Sequence, residues 1–403
     1  MITKEEVSRS ADALQNELVE LRRLLHKHPE LSNKEVQTSA LIKSHLEPLG
    51  LELQTGLAVT GLMGLLRGRG HDGTIALRAD MDGLPVQEAK KTAYRSEVPQ
   101  VMHACGHDFH MTAVVGTAKV LSQFRDRLGG NVKFIFQPSE EKVSGAERMI
   151  ASGVLKNPDV SAIIGLHVFP LLPTGIIGIK HGVMMASSDH FSIHIYGKSG
   201  HAAKPHLGVD AILIASLVVN GIHHIVHTSV DPVHPAVISI GMINGGSAEN
   251  VICDHVELRG TIRATSNEIR KDVVQKIEAK ARSITESMNG RYRFHLESGS
   301  PPLDNHREIT RLVHDCAIEI LGPDRVELLS EPSMGGEDFS QYIEKVPGTY
   351  FRIGTGNPAK DTCHYLHSNL FDVDEAALAD AVKLLAWSVI GYLNRRDTKE
   401  ASL

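Results

Sequence analysis

The sequence predicts an α/β protein built in two parts, a larger α/β domain and a smaller ferredoxin-like β-α-β-β-α-β unit inserted into it. Three observations carry this expectation. Short apolar runs alternate with helical periodicity through residues 1–185, the rhythm changes over 186–298, and α/β alternation returns over 299–403. Alternation of this kind implies a largely parallel sheet. A self-contained unit flanked on both sides by the same pattern reads as an insertion.

Each element follows from local pattern. Leu14, Leu18, Leu21 and Leu25 recur at helical spacing ahead of Pro29, so the chain opens on an amphipathic helix, and a second runs from Lys34 to about Leu49. The apolar runs 62–66, 75–79, 132–136 and 160–166 read as strands, with helices at 108–124 and 143–152. In the insertion the order is strand 189–197, helix 209–226, strand 236–243, strand 255–264, helix 267–288 and strand 291–298. Helices at 305–321 and 375–393 with a strand at 349–353 complete the first domain.

Composition narrows the function. A chain of 403 residues is long enough for two or three domains, and 42% hydrophobic with 22% charged residues is an ordinary globular balance. The net charge of −6 and the lack of a basic cluster exclude the footprint of a nucleic-acid binder, leaving small molecules as the expected partners. The N-terminal stretch Met1 to Glu20 is charged and helical, unlike a secretory signal, and no 18-residue apolar run suggests a membrane span. Four cysteines, at 105, 253, 316 and 363, are too sparse for a disulfide framework and fit a reducing, cytoplasmic setting. Most of the 23 histidines, such as His223, His224 and His227, lack carboxylate or cysteine company.

Four short segments stand apart. Cys105 and His107 lie two residues apart just before a predicted helix, where only a turn or extended backbone lets both converge on one metal. Glu140 and Glu141 follow the strand 132–136, His167 follows the strand 160–166, and His367 lies near the C-terminus. Alone, each has a plain structural reading: a buried cysteine, an acidic helix start, a structural histidine. Together they fall at successive strand ends, where α/β sheets gather their ligands.

The strings R-A-D-M-D-G-L-P-V-Q-E (78–88), M-H-A-C-G-H-D (102–108), F-Q-P-S-E-E (136–141), G-L-H-V (165–168), G-K-S-G-H-A-A (197–203) and M-G-G-E-D-F (334–339) make the identity more specific. In order and over nearly the whole chain, they resemble the di-metal aminoacylase and carboxypeptidase family. Within it the resemblance is to the hippurate hydrolases, N-acetyl amino acid deacylases and auxin-conjugate hydrolases. It implies a zinc-peptidase-like catalytic domain (1–185 and 299–403) and an inserted lid and dimerisation domain (186–298). It further implies two divalent metals (zinc, or manganese, cobalt or nickel) on Cys105, His107, Glu141, His167 and His367, with Cys105 as the natural bridge. Glu140 would be the general base toward a metal-activated water attacking the amide of an N-acyl amino acid, and His201 would stabilise the oxyanion, often across a dimer interface. Asn250 and Arg263 look like the family's pair that holds the substrate carboxylate, and the glycine turn 334–339 would present amides to the same group. Asp80 and Asp82 are candidates to orient the ligands. A homodimer or higher oligomer is implied.

The sequence departs from the family at two points. Cys253 stands where many relatives have proline, and Leu366-His367-Ser368-Asn369 replaces a paired-histidine or His-Pro motif. The second change leaves His364 as a rival ligand, although the phase of Phe371-Asp372-Val373-Asp374-Glu375 favours His367. A dipeptidase or carboxypeptidase of the same family is the nearest alternative function, and a binding protein that lost catalysis is a more distant one.

Overall fold

The structure is a computed structural model that describes residues 1–70 and 73–400. It divides into two compact units, Met1–Gly182 with Asp304–Glu331 and Gln341–Leu403, and Val183–Leu303 with Pro332–Ser340. The boundaries thus lie at 182/183 and 303/304 rather than at 185/186 and 298/299. The glycine turn, expected in the larger part, is grouped with the smaller one.

In the first unit the opening helix is two helices, α1 (Lys4–Ala13) and α2 (Gln15–Lys27), joined at Leu14; α3 (Val36–Leu46) follows. A capping box in which Thr3 and Glu6 satisfy each other's backbone N–H starts α1. The strands β1 (Glu52–Leu57), β2 (Gly61–Leu66) and β3 (Thr74–Asp80) precede the long helix α4 (His107–Gln123), and β4 (Asn131–Gln137), β5 (Ala162–Pro173) and β6 (Ile177–Ile179) come after it. With strands Val326–Leu328 and Gly348–Gly356 they form one eight-stranded sheet. The sheet is mixed rather than largely parallel: β3, β4, β5 and Gly348–Gly356 run parallel at its centre, while β1 and β2 pair antiparallel. The parallel centre matters here, because the carboxyl ends of β3 and β4 lie side by side and carry Asp80 and the Glu140 loop. β5 outruns its expected end, so His167 sits within the strand, held by parallel pairing to Gly348–Gly356.

α4 is buried along almost its whole length, which explains its apolar composition beyond the one stripe of a surface helix. Helix Leu378–Glu400 packs in the same core through Leu378, Val382, Leu385, Val389 and Leu393.

The second unit is a four-stranded antiparallel sheet in the order Ala236–Gly245, His255–Ala264, Asp189–Tyr196, Arg291–Glu297, with helices Ala211–Ser229 and Asn267–Ser287. The β-α-β-β-α-β order is the expected one. Ile193, Ile195, Val256, Leu258 and Ile262 alternate along the strands to meet Ile214, Val218, Ile222, Val273 and Ile277 on the helices. Asp210 caps the first helix by accepting from the N–H of Ile212 and Leu213, a contact worth about 1 kcal/mol.

One expectation fails on composition. Two helical segments, Ala211–Ser229 and Glu375–Asn394, are long and apolar enough to cross a membrane. The second is mostly buried in the first unit, and the first lays one face on its own sheet, so packing accounts for much of this apolarity.

Candidate metal centre

The turn Cys105-Gly106-His107 depends on glycine. Gly106 has φ +85° at the start of α4, and a Cβ there would come within 2.4 Å of Val168 Cγ2. This close approach brings Cys105 Sγ to 3.5 Å from His167 Nε2 on β5. The glutamate loop is held as firmly. Ser139 adopts φ +58° and donates its N–H to Glu35 at 3.0 Å, while Thr60 donates to the other Glu35 oxygen at 2.6 Å. Buried Asp82 accepts the N–H of Glu140 at 3.0 Å, the N–H of Glu141 at 3.2 Å and the Ser32 hydroxyl at 2.6 Å. His367, with φ +66°, donates its backbone N–H to Ala104 O at 2.8 Å, tying the C-terminal loop to the cysteine turn. Left-handed backbone at two non-glycine residues is strain of the kind found at functional sites.

These ties assemble two sets of donors that share one atom. Cys105, His107 and His167 form one set and Cys105, Glu141 and His367 the other, with the donor atoms of each within 4.8 Å of one another. Glu140 forms a further set with His107 and Glu141. His364 pairs instead with Asp361 at 3.0 Å, so the rival histidine is turned to a different partner.

The electrostatics are compatible with a bound cation. Both ring nitrogens of fully buried His107 lack a hydrogen-bond partner, although Asp82, Asp80 and Glu141 oxygens lie 3.4, 3.8 and 3.9 Å away. Burial disfavours its charged form, yet Asp80, Asp82 and Glu141 raise its pKa to about 10. Burial pushes the Cys105 thiol up, and the Glu141 and Glu140 carboxylates push it further. A nest of carboxylates around a thiol and unpartnered imidazole nitrogens fits a divalent cation, which favours the thiolate and the neutral imidazole that ligate it.

A supporting layer orients the donors. Val168 N–H donates to His110 Nε2 at 3.0 Å, which places the His110 proton on Nδ1, where it bonds Asp80 Oδ1 at 2.6 Å. Val168 O in turn accepts from His167 Nδ1 at 2.7 Å, leaving His167 Nε2 as a lone pair toward Cys105. Behind α4, fully buried Arg22 meets Asp108 at 2.9 Å and Asp372 at 3.0 Å, linking the residue after His107 to the segment after His367. Sequence reasoning missed His110, Glu35 and Arg22. His110 alone had a signal, three residues from His107 on one helix face.

On the second unit, the two-residue ladder pairing His201 with Val251 sets His201 beside Asn250. His201 Nδ1 accepts the Ala203 N–H at 3.1 Å, which leaves Nε2–H as a donor. Arg263 lies elsewhere. It is near the far end of strand His255–Ala264, roughly 25 Å along at about 3.3 Å per residue, so one copy does not bring Asn250 and Arg263 together. A Cβ on Gly336 would stand 3.0 Å from Arg263 Nη1, so the glycine turn lies against this arginine. Arg263 makes no ion pair among the described residues, and burial lowers its pKa.

The chain matches Peptidase family M20/M25/M40 over residues 76–389. It is 38% identical to the N-acetyl-L-cysteine deacetylase of Bacillus subtilis, covering 96% of this chain and 91% of that one. It is 37% identical to thermostable carboxypeptidase 2 of Saccharolobus solfataricus, covering 95% and 98%. Among solved structures, a Bacillus subtilis protein described as a dinuclear metal binding peptidase of the M20 family superposes with a TM-score of 0.83 at 36% identity, covering 95% and 99%. The chain belongs to this family and is a hydrolase of amide bonds.

Proposed function

We propose that this hydrolase cleaves the amide bond of N-acyl amino acids at a centre of two divalent metals. The observation that carries the reading is the pair of donor sets sharing Cys105 with the Glu140 carboxylate beside them. Cys105, His107 and His167 would hold one ion, and Cys105, Glu141 and His367 the other. When bound, the ions supply Lewis acidity toward the scissile carbonyl and toward water.

The remaining chemistry belongs to the chain. Glu140 accepts a proton from the attacking water on a carboxylate oxygen and returns it to the leaving amine, assistance worth typically 10²–10⁴-fold. Asp82 keeps that carboxylate in place by holding two consecutive backbone N–H groups of its loop. His201 Nε2–H suits an oxyanion, and Arg263, a planar fork without a carboxylate partner, suits the carboxylate of the amino acid. Because His201 and Asn250 lie far along the second unit from Arg263, the reading includes a second copy of the chain completing each site, as a homodimer. Exposed Met242 and Ile243 on the edge strand Ala236–Gly245, with Leu213 and Leu217 on the neighbouring helix, support that contact.

The test is a panel of N-acetyl and N-benzoyl amino acids set against dipeptides and N-blocked peptides, with zinc, manganese, cobalt or nickel supplied. The expected result is highest kcat/KM on the N-acyl amino acids. Faster cleavage of peptides would replace this reading with a carboxypeptidase or dipeptidase.

A further inference from the structure

The arginines of this chain divide by their partners. Arg22 is matched by Asp108 and Asp372, Arg78 by Asp80 and Gln137, and Arg270 by Asp189. Arg263 and Arg352 are partly buried and have no ion pair among the described residues. Arg263 already has a role in the proposed reaction. Arg352 has none.

Its position is informative. Arg352 is the ladder partner of His167 on the neighbouring parallel strand, and paired residues project from the same face of a sheet. Phe169, two residues beyond His167, shares that face, and the Arg352 guanidinium carbon lies 4.0 Å from the centroid of its ring. Tyr365, two residues before His367, packs edge-on against Phe169 with ring centroids 6.3 Å apart. The cation therefore stands one strand from a donor of the metal centre, on an aromatic wall.

Stacking uses only the flat face of a guanidinium. Its edge N–H donors remain, and no protein acceptor takes them up among the described hydrogen bonds. An arginine that is stacked, partly buried and without an ion pair among the described residues, one strand from a candidate metal ligand, is suited to receive an anion from outside the chain, and a carboxylate matches its fork.

We infer that Arg352 binds a second carboxylate of the substrate, with Phe169 and Tyr365 bracketing the carbon chain that carries it. The inference rests on the proposed N-acyl amino acid reading and narrows it to dicarboxylic substrates. The second carboxylate is carried either by the acyl group or by the amino acid side chain.

The experiment separates these sources. The metal-loaded full-length enzyme is assayed on N-succinyl-L-alanine against N-butyryl-L-alanine, and on N-acetyl-L-glutamate against N-acetyl-L-glutamine. One diacid exceeds its neutral counterpart in kcat/KM by at least 10-fold, and Arg352→Met brings that ratio toward one while Arg352→Lys retains part of it. The pair that responds names the source. Loss of one charge-assisted contact corresponds to roughly 10- to 150-fold. Calorimetric binding of both diacids to Glu140→Gln, with and without Arg352→Met, reads the same contact without turnover. Arg352-dependent binding without hydrolysis of any N-acyl amino acid would keep the carboxylate site and reject the proposed reaction. Ratios near one for both pairs, with binding indifferent to Arg352→Met, would overturn the inference.

Discussion

Replacing His110 with leucine tests whether the layer behind the metal centre acts on the ligands. The change removes the acceptor of the Val168 N–H and the donor to Asp80, both fully buried. A buried backbone N–H left unsatisfied costs about 1–3 kcal/mol. Relieving that cost shifts the backbone at Val168, whose own carbonyl is the acceptor that orients His167 through Nδ1. The same energy then appears as misalignment of His167 Nε2. At about 1.4 kcal/mol per factor of ten, it corresponds to roughly 5- to 150-fold in affinity, which brackets the 10–100-fold typical of ligand-orienting partners. Zinc titration against a chromophoric chelator should show weaker binding at the site formed by Cys105, His107 and His167. The site with Glu141 and His367 changes less. His110→Gln, which keeps a donor and an acceptor, restores part of the affinity, a rescue that a purely packing role would not produce. Wild-type affinity for both metals in His110→Leu would refute the reasoning.

Three further outcomes are expected. Glu140→Gln keeps both metals by elemental analysis and loses about 10²–10⁴-fold in kcat; normal turnover would remove Glu140 as the base. Cys105→Ser weakens both metals together, and loss of a single metal equivalent would exclude a shared thiolate. Asp372 gives a pH signature. Burial would raise its carboxyl, but Arg22, with His26 and Lys90, overrides this and holds the pKa below the usual value. The stabilisation is therefore complete above the ordinary aspartate pKa of about 3.9 and is lost as pH falls below it. The Tm deficit of Asp372→Asn should be large at pH 7 and shrink toward pH 3. An equal deficit at both would rule out the linkage.

The elements were largely readable because each is a local pattern. The period-two alternation in 189–196 and 255–264 and the long apolar helix at 107–123 lie within a few residues of where the sequence put them. Where the structure departs from the local pattern, packing overrides it. The Leu14 break between α1 and α2 keeps one amphipathic stripe across two helices, and the extension of β5 past His167 comes from pairing with Gly348–Gly356. The candidate ligands could be named because cysteine, histidine and paired glutamates announce their chemistry by type. Their supports could not. Glu35 and Arg22 act through contacts across 104 and 350 residues of chain, and spacing carries no trace of such pairs.

By itself, then, the sequence determined which groups are available: a thiol and imidazole in one turn, two adjacent glutamates, two later histidines, and an inserted unit with its own core. Only the tertiary structure decided which of them meet. It gathered Cys105, His107, Glu141, His167 and His367 around one sulfur, turned His364 toward Asp361, and set Arg263 a strand's length from Asn250. It also stood Arg352 beside His167. The physical reason is that donor chemistry is a property of a residue, whereas coordination is a property of distances of a few ångströms. Sheet register, a left-handed glycine and buried hydrogen bonds set those distances between residues far apart in the chain.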